Sequence, residues 1–352
     1  MAAAPLDLHA AAPADHARRV GAWRTILRTA EGRIGLGLGL VVLFVIVAGF
    51  LPRRTDPSPA ARRPVTLAPL VVVTLLMAAF AIKAPLFPFH GWLPDAYREA
   101  PPEVAAVLSG VIAKAGLYGM LRIAITKFPD PTSFYRTTVL ALAAAALVYG
   151  SLLAFRSPDF RGVVAYSSLA QSGLIALGLF AGTDLGFDGA VLQMVAHGLI
   201  SISLFLVAGA VERRTTTGEF RLLGGMARGR PALATLLMVV GVISLAVPGS
   251  ASFAGEFLIL AGVFQRAWWW SAIGAGAIVL AAMYMLRLIS AVLHEARGST
   301  VSDEALDLRP GELALVVPLV AGLLFLSAWP AGISSHSFTP DSPTAAVKSQ
   351  FK

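Results

Sequence analysis

The chain alternates long apolar runs with short polar segments, in the pattern of a polytopic membrane protein. A helix needs roughly 20 predominantly apolar residues to cross about 30 Å of hydrocarbon. Applied along the sequence, this length predicts an all-α membrane protein with about nine transmembrane helices. Their approximate limits are 34–52, 66–88, 103–122, 135–155, 162–182, 187–211, 231–263, 268–290 and 311–331.

Composition supports this interpretation, since 57% of the residues are hydrophobic, 14% are charged and the mean hydropathy is +0.74. We predict three parts. Residues 1–65 form a divergent N-terminal tail with one extra transmembrane helix and an Arg- and Pro-rich linker. Residues 66–331 form the main transmembrane domain, and residues 332–352 form a polar C-terminal tail. The polar first 30 residues and the length of the first apolar run argue against a cleaved signal peptide.

Two predicted spans contain sequences that interrupt a helix. Pro85 and Pro88 follow Lys83, and the segment 247–252 (Val-Pro-Gly-Ser-Ala-Ser) precedes Glu256. Proline removes a backbone donor, so both spans are predicted to be discontinuous. A packing kink would explain one such break. Two breaks, each beside an ionisable group, favour the discontinuous helices that surround ion sites in transporters.

Four ionisable residues lie deep inside apolar runs. All but two of the 28 Lys and Arg residues lie in termini, loops or span edges, and the exceptions are Lys83 and Lys114. Glu256 is the one deeply placed acid, and His197 is the one deeply placed imidazole. A charge at this depth costs at least about 2.5 kcal/mol, and burial disfavours the charged form of each group. Because such groups exchange protons readily, we predict a proton pathway, although His197 could equally be a structural hydrogen-bonding residue.

Several other functions are excluded or disfavoured by composition. Cysteine is absent, so this chain ligates no iron-sulfur cluster through thiolates. It carries no flavin motif and no dinucleotide-binding strand-turn-helix, so redox chemistry is expected in a partner. The net charge of +8 is spread over short loops, which indicates membrane topology rather than nucleic-acid binding.

Alternation of nine spans predicts which loops share a side of the membrane. The N-terminus and the loops near 89–102, 156–161, 212–230 and 287–310 are placed together, and they hold most of the Lys and Arg residues. The positive-inside rule then predicts a cytoplasmic N-terminus, in an integral, multi-pass protein of the bacterial cytoplasmic membrane, although the basic segment 53–63 opposes this orientation.

Three segments resemble one family of membrane subunits. They are Ala-Ile-Lys-Ala-Pro-Leu-Phe-Pro-Phe-His-Gly-Trp-Leu-Pro-Asp-Ala-Tyr (81–97), Ala-Lys-Ala-Gly-Leu-Tyr-Gly-Met-Leu-Arg (113–122) and Gln-Met-Val-Ala-His-Gly (193–198). Together they resemble the antiporter-like membrane subunits of respiratory complex I and the Mrp antiporters, over about 66–331. Glutamate in Pro-Gly-Ser-Ala-Ser-Phe-Ala-Gly-Glu-Phe-Leu-Ile-Leu (248–260) is similar to the M-subunit branch of NADH:quinone oxidoreductase, because other members usually have lysine there.

The resemblance implies an antiporter-like half-repeat bundle and a role for each buried charge. Lys83 would be the channel lysine of the N-terminal half, Lys114 would begin the central polar axis, His197 would continue it, and Glu256 would be the exit group. The chain itself would hold no cofactor. NADH, FMN, iron-sulfur clusters and quinone would belong to partner subunits of the complex I membrane and peripheral arms.

The sequence also departs from the family pattern. An earlier helix of the family carries a glutamate that pairs with the equivalent of Lys83, and the only span before it here, 34–52, contains no acid. Gln171 stands where the family commonly has histidine. A split gene whose other chain supplies the missing helices, a fusion at residues 1–65 and a misassigned start all remain open. The functional alternatives are an Mrp-type cation/proton antiporter, a membrane-hydrogenase pump subunit and a non-conducting structural subunit.

Overall fold

The computed structural model describes residues 67–302 and 306–333, which fold into helices joined by short connections. The helices, numbered in chain order, are α1 (Leu67–Lys83), α2 (Leu93–Glu99), α3 (Pro102–Ile125), α4 (Pro129–Arg156), α5 (Phe160–Ala181), α6 (Asp184–Thr215), α7 (Pro231–Ser244), α8 (Ala251–Arg266), α9 (Trp268–His294) and α10 (Pro310–Ala328).

Six of these helices are long and apolar enough to cross a membrane: α3, α4, α5, α6, α9 and α10. Two shorter apolar helices, α1 and α7, accompany them in the part of the chain that the structure describes. The all-α prediction is therefore confirmed, whereas the count of nine spans is not. The predicted span 34–52 and the tail 1–65 lie outside the described residues, as does the tail 332–352 beyond its first two positions.

Both predicted interruptions coincide with helix ends. Helix α1 stops at Lys83, and the segment 84–92 joins it to the short helix α2. The predicted span 231–263 is divided into α7 and α8, which are separated by residues 245–250. Gly249 has a positive φ of 93° in this connection, and the hydroxyl of Ser250 caps α8 by accepting a hydrogen bond from the N–H of Phe253 at 3.1 Å.

The centre of the bundle is formed by α5 and α6, which pack against each other and against α4 and α8. Nearly every residue of α5 is buried, because small side chains let its neighbours approach closely. At Gly173, a β-carbon would lie 2.6 Å from the carbonyl oxygen of Ala143 on α4. This close approach requires glycine at position 173 and sets the position along α4 at which α5 comes nearest to it.

The loops that the alternation of predicted spans assigned to one side are joined in the structure by ion pairs. Arg98 pairs with Asp159 at 2.8 Å, and Arg161 pairs with Glu212. Glu312 accepts from Arg213 at 3.1 Å and from Arg214 at 2.6 Å. These contacts form a polar layer at one end of the bundle, made of loops near 89–102, 156–161, 212–230 and 287–310, as predicted for the described loops.

Asp307 belongs to the same polar layer and caps the start of α7. Its carboxylate accepts hydrogen bonds from the backbone N–H groups of Ala232 at 2.7 Å and Leu233 at 3.0 Å. Partial burial alone would raise the pKa of Asp307, but these bonds, one from Leu308 and the charge of Arg214 lower the pKa below its ordinary value. The carboxylate therefore ties the loop before α10 to the first turn of α7.

Candidate functional site

Lys114 is buried in the middle of α3, beside a locally widened helical turn. Its ammonium donates a hydrogen bond to the carbonyl oxygen of Ser109 at 3.0 Å. Ser109 lies in a π-helical segment, Leu108–Ile112, where backbone hydrogen bonding departs from the α-helical pattern. Such segments are often found at functional sites. The structure therefore places Lys114 in the protein interior, in agreement with the sequence prediction.

Three serine hydroxyls from three helices meet next to Lys114. The Oγ atom of Ser109 on α3 lies 2.5 Å from Oγ of Ser201 on α6 and 2.9 Å from Oγ of Ser168 on α5. The Oγ atoms of Ser168 and Ser201 lie 3.3 Å apart. All three side chains are buried. This serine triangle joins α3, α5 and α6 at the level of the lysine, and single-sequence reasoning missed it because serine is common in membrane helices.

His197 lies on α6 beside Gly198, where a β-carbon would lie 2.9 Å from the carbonyl oxygen of Gly110, four residues before Lys114 on α3. The imidazole is buried, and its Nε2 atom has no hydrogen-bond partner among the described residues. His197 also lines a small polar cavity with Ser167, Gln171, Gln193 and Tyr284. The cavity has room for about one water molecule. The imidazole therefore lies at this cavity, on a helix that packs against α3.

Glu256 is buried in the second turn of α8, just after the interruption that separates α7 from α8. Its Oε1 atom accepts a hydrogen bond from Nε2 of Gln171 on α5 at 2.8 Å, and Nε2 of Gln193 on α6 lies at 3.4 Å. Both glutamines also line the cavity beside His197, so the two amides lie between Glu256 and the cavity that holds the imidazole. From the sequence alone, Gln171 stands out only as a departure from the family pattern, and Gln193 has no predicted role.

Lys83 occupies a different setting from the other three predicted residues. It is the last residue of α1, and its side chain is exposed on the surface formed by the described residues. The end of α1 lies close to α3, since a β-carbon at Gly116 of α3 would lie 2.8 Å from the backbone nitrogen of Ala84, the residue after Lys83. The end of α1 therefore packs two residues beyond Lys114 along α3, but the Lys83 side chain does not join the buried group.

The buried polar groups thus form an ordered set on four helices, from Lys114 on α3 through His197 on α6 to Gln171, Gln193 and Glu256. Within the described residues, no group of three or more His, Asp or Glu side chains is arranged to hold a metal ion. The set combines one amine, one imidazole and one carboxyl with hydroxyls and amides, which are groups that can exchange or orient protons.

Comparison with known proteins identifies the family. The family model described as NADH:quinone oxidoreductase/Mrp antiporter, transmembrane, matches residues 60–285. The chain belongs to this family. The match covers Lys83, Lys114, His197 and Glu256, and therefore includes the whole buried polar set.

Curated members of the family support the M-subunit resemblance. The chain is 37% identical over 258 residues to the NADH-quinone oxidoreductase subunit M of Rickettsia prowazekii, covering 73% of this chain and 52% of that protein. It is 38% identical over 287 residues to the subunit M of Mycobacterium tuberculosis, covering 81% of this chain and 50% of the relative. The chain therefore spans about half the length of the curated relatives it matches.

Solved structures share the fold. A chain of respiratory complex I from Thermus thermophilus with bound NADH matches with a TM-score of 0.73 and 30% identity, covering 90% of this chain and 65% of that one. A chain of the Mrp complex from Dietzia matches with a TM-score of 0.71 at 21% identity, over 91% of this chain and 69% of that one. A chain of an archaeal membrane-bound sulfane sulfur reductase matches with a TM-score of 0.70 at 25% identity, over 84% of this chain and 50% of that one. The antiporter-like fold is thus common to several membrane complexes.

Proposed function

We propose that this chain is a proton-translocating membrane-arm subunit of an NADH:quinone oxidoreductase of the complex I type. The observation that carries the proposal is the buried set of Lys114, His197 and Glu256 on three helices, in which the amides of Gln171 and Gln193 lie between Glu256 and the cavity that His197 lines. Buried ionisable groups are costly in a membrane protein, and a connected set of them is expected where an ion or proton passes. The curated subunit M relatives favour the complex I assignment over other members of the family.

In this proposal, the redox reaction takes place in partner subunits and this chain supplies the proton path. NADH, FMN, iron-sulfur clusters and quinone would be bound by those partners. A change of charge that reaches Lys114 along the membrane would alter the balance between protonated and neutral amine, because nearby charges shift that balance. The proton would then pass by way of His197 and the cavity to Glu256, and leave from there.

Lys83 is proposed to act in the N-terminal half of the pathway only when another chain or segment covers it. An exposed ammonium at the end of a membrane helix is costly in lipid, so we expect other membrane-arm subunits, or a separate chain supplying further helices, to pack against this face. The tail 1–65 with its span 34–52, the domain 66–331 and the tail 332–352 are the proposed organisation. We place the N-terminus in the bacterial cytoplasm, with the polar layer of Arg161 and Glu212 on that side.

The decisive experiment replaces Glu256 with Gln in the full chain, expressed in its source organism within the assembled complex. In inverted membrane vesicles, NADH oxidation and proton uptake are measured together. We expect fewer protons translocated per NADH, because the amide keeps the shape of the side chain and cannot release a proton. Glu295→Gln, at an exposed position after α9, is the matched control and should leave the ratio unchanged. An unchanged ratio in Glu256→Gln would refute the proton-pathway assignment.

The second candidate is a subunit of an Mrp-type cation/proton antiporter or of a membrane hydrogenase pump, using the same residues without NADH. The structural similarity to the Mrp complex and to the sulfane sulfur reductase favours keeping this candidate. Native mass spectrometry of gently solubilised membranes, with a tag at Lys352, separates the two by the subunits recovered. A third candidate, a non-conducting structural subunit, is supported by the exposed Lys83 and opposed by the buried set around Glu256.

A further inference from the structure

The two oxygens of the Glu256 carboxyl group have different surroundings. Oε1 lies 2.8 Å from Nε2 of Gln171 and 3.4 Å from Nε2 of Gln193, so two amide N–H groups point toward one oxygen. Oε2 is equally buried and has no hydrogen-bond partner in the described parts of the chain. The carboxyl group is therefore held by one oxygen, while the other oxygen is left available.

The two glutamines fix each other's orientation. Nε2 of Gln193 donates a hydrogen bond to Oε1 of Gln171 at 2.9 Å, so the amide nitrogen of Gln171 must face Glu256. If the Gln171 amide were rotated by half a turn, its oxygen would face Oε1 of Glu256 and its nitrogen would face the nitrogen of Gln193. While Glu256 is ionised, both contacts would be repulsive, because a carboxylate has no proton to donate and an amide nitrogen accepts poorly.

The position of Gln193 depends on the glycine that precedes Glu256. A β-carbon at Gly255 would lie 2.6 Å from Oε1 of Gln193 and 3.1 Å from its backbone nitrogen. Glycine at this position lets α6 approach α8 closely enough for the Gln193 side chain to cross over the turn that holds Glu256. The Gly-Glu pair of α8 and the glutamine of α6 thus form one packed unit.

From this arrangement we infer that Gln171 and Gln193 are positioning residues, which hold Oε1 of Glu256 as a permanent hydrogen-bond acceptor so that the proton is carried on Oε2. The inference rests on the proposed function. In the neutral acid, the oxygen that accepts N–H groups is the carbonyl oxygen, and the hydroxyl group forms on the oxygen without donors. When the proton leaves Oε2, the same two N–H groups stabilise the carboxylate without any rotation of the side chain.

Two buried acceptor atoms near this unit lack a hydrogen-bond donor in the described part of the chain. Oε1 of Gln193 and Nε2 of His197 both lack a hydrogen-bond partner among the residues that the structure describes. Both residues line the small polar cavity, together with Tyr284 and Ser252. A water molecule in the cavity would satisfy both atoms, which are otherwise buried without partners, and would lie on the proposed route of the proton from His197 toward Glu256.

Infrared difference spectroscopy of the assembled complex tests the inference directly. The carbonyl stretching frequency of a protonated carboxyl group falls when its carbonyl oxygen accepts hydrogen bonds. We expect a band from protonated Glu256, identified by its loss in Glu256→Gln, to move to higher frequency in Gln171→Met, which has similar volume and no donor. In Gln171→His the imidazole N–H can still donate, so the band should stay near its original frequency.

The possible outcomes separate this inference from the proposed function. If the Glu256 band keeps its frequency in both Gln171→Met and Gln193→Met, Oε1 is not the held carbonyl oxygen and the inference is wrong. Absence of any Glu256 band between acidic and alkaline pH would also overturn it, since no proton would then be carried. The proposed function fails separately, if Glu256→Gln translocates the normal number of protons per NADH.

Discussion

Arg161 offers the sharpest test of the polar layer, because one side chain joins three elements. Its guanidinium pairs with Glu212 at the end of α6, with Nε 2.7 Å from Oε1. It also donates to the carbonyl oxygens of Arg98 at 3.0 Å and Ala100 at 2.6 Å, at the turn between α2 and α3. The arginine side chain is only 10% exposed. Arg161→Met should therefore separate the α2–α3 turn from the ends of α5 and α6.

The expected loss of stability in Arg161→Met depends on the charge of Glu212 that remains without its partner. Removing one partner of a buried ion pair costs about 3 to 5 kcal/mol, because the remaining charge loses its compensation. Glu212 is 23% exposed, so water reaches it in part and the lower end, about 3 kcal/mol, is expected. The double variant Arg161→Met with Glu212→Met should be less damaged than Arg161→Met, because no lone charge remains.

The assay heats solubilised membranes in temperature steps. After each step, immunoblotting measures how much of the full chain remains. A loss of about 3 kcal/mol corresponds to a fall in the midpoint temperature on the order of 5 °C for a chain of this size. Arg156→Met, at an exposed position, serves as the control. If Arg161→Met and Arg156→Met melt at the same temperature, the reasoning about the buried ion pair is refuted.

Three further predictions concern other parts of the molecule. Asp307→Ala should destabilise the start of α7 by about 1 kcal/mol, measured by the same heating assay. Because the pKa of Asp307 is lowered in the folded protein, its stabilisation is complete above its ordinary pKa of 3.8 and is lost as the pH falls through the lower folded value, so the variant and the wild type should converge only in strong acid. Lys114→Met should reduce protons translocated per NADH while NADH-dependent quinone reduction persists, and an unchanged ratio would remove Lys114 from the pathway. Gly173→Val should lower the amount of assembled chain in membranes, since its side chain would collide with Ala143, whereas Gly276→Val, at an open position, should not.

Residue patterning alone was sufficient to predict several features of the fold. The apolar run lengths predicted the six long membrane helices of the described region, and the Pro- and Gly-containing segments predicted the interruptions after Lys83 and between α7 and α8. The alternation of spans along the chain predicted which connections share one end of the bundle. These features are local, because the length of a helix, the position of a helix break and the net charge of a loop are properties of consecutive residues.

The difference in exposure between Lys83 and Lys114 could not be predicted in the same way. Both lysines lie in apolar runs and look alike in the sequence, yet one lies at the helix surface and the other among α3, α5 and α6. Which face of a membrane helix meets lipid and which meets another helix depends on neighbours that are distant in sequence. Periodicity gives little help here, since lipid-facing and buried positions are both apolar.

The sequence by itself determined the membrane class, the positions of the helix breaks and the presence of Lys114, His197 and Glu256 at membrane depth. Only the tertiary structure showed the serine triangle and the pairing of Gln171 with Gln193 on a single oxygen of Glu256. The physical reason is that hydrogen bonds between helices depend on distances of a few tenths of an ångström. Helix packing sets those distances, and close approaches such as those at Gly173 and Gly255 become visible only when the helices are assembled.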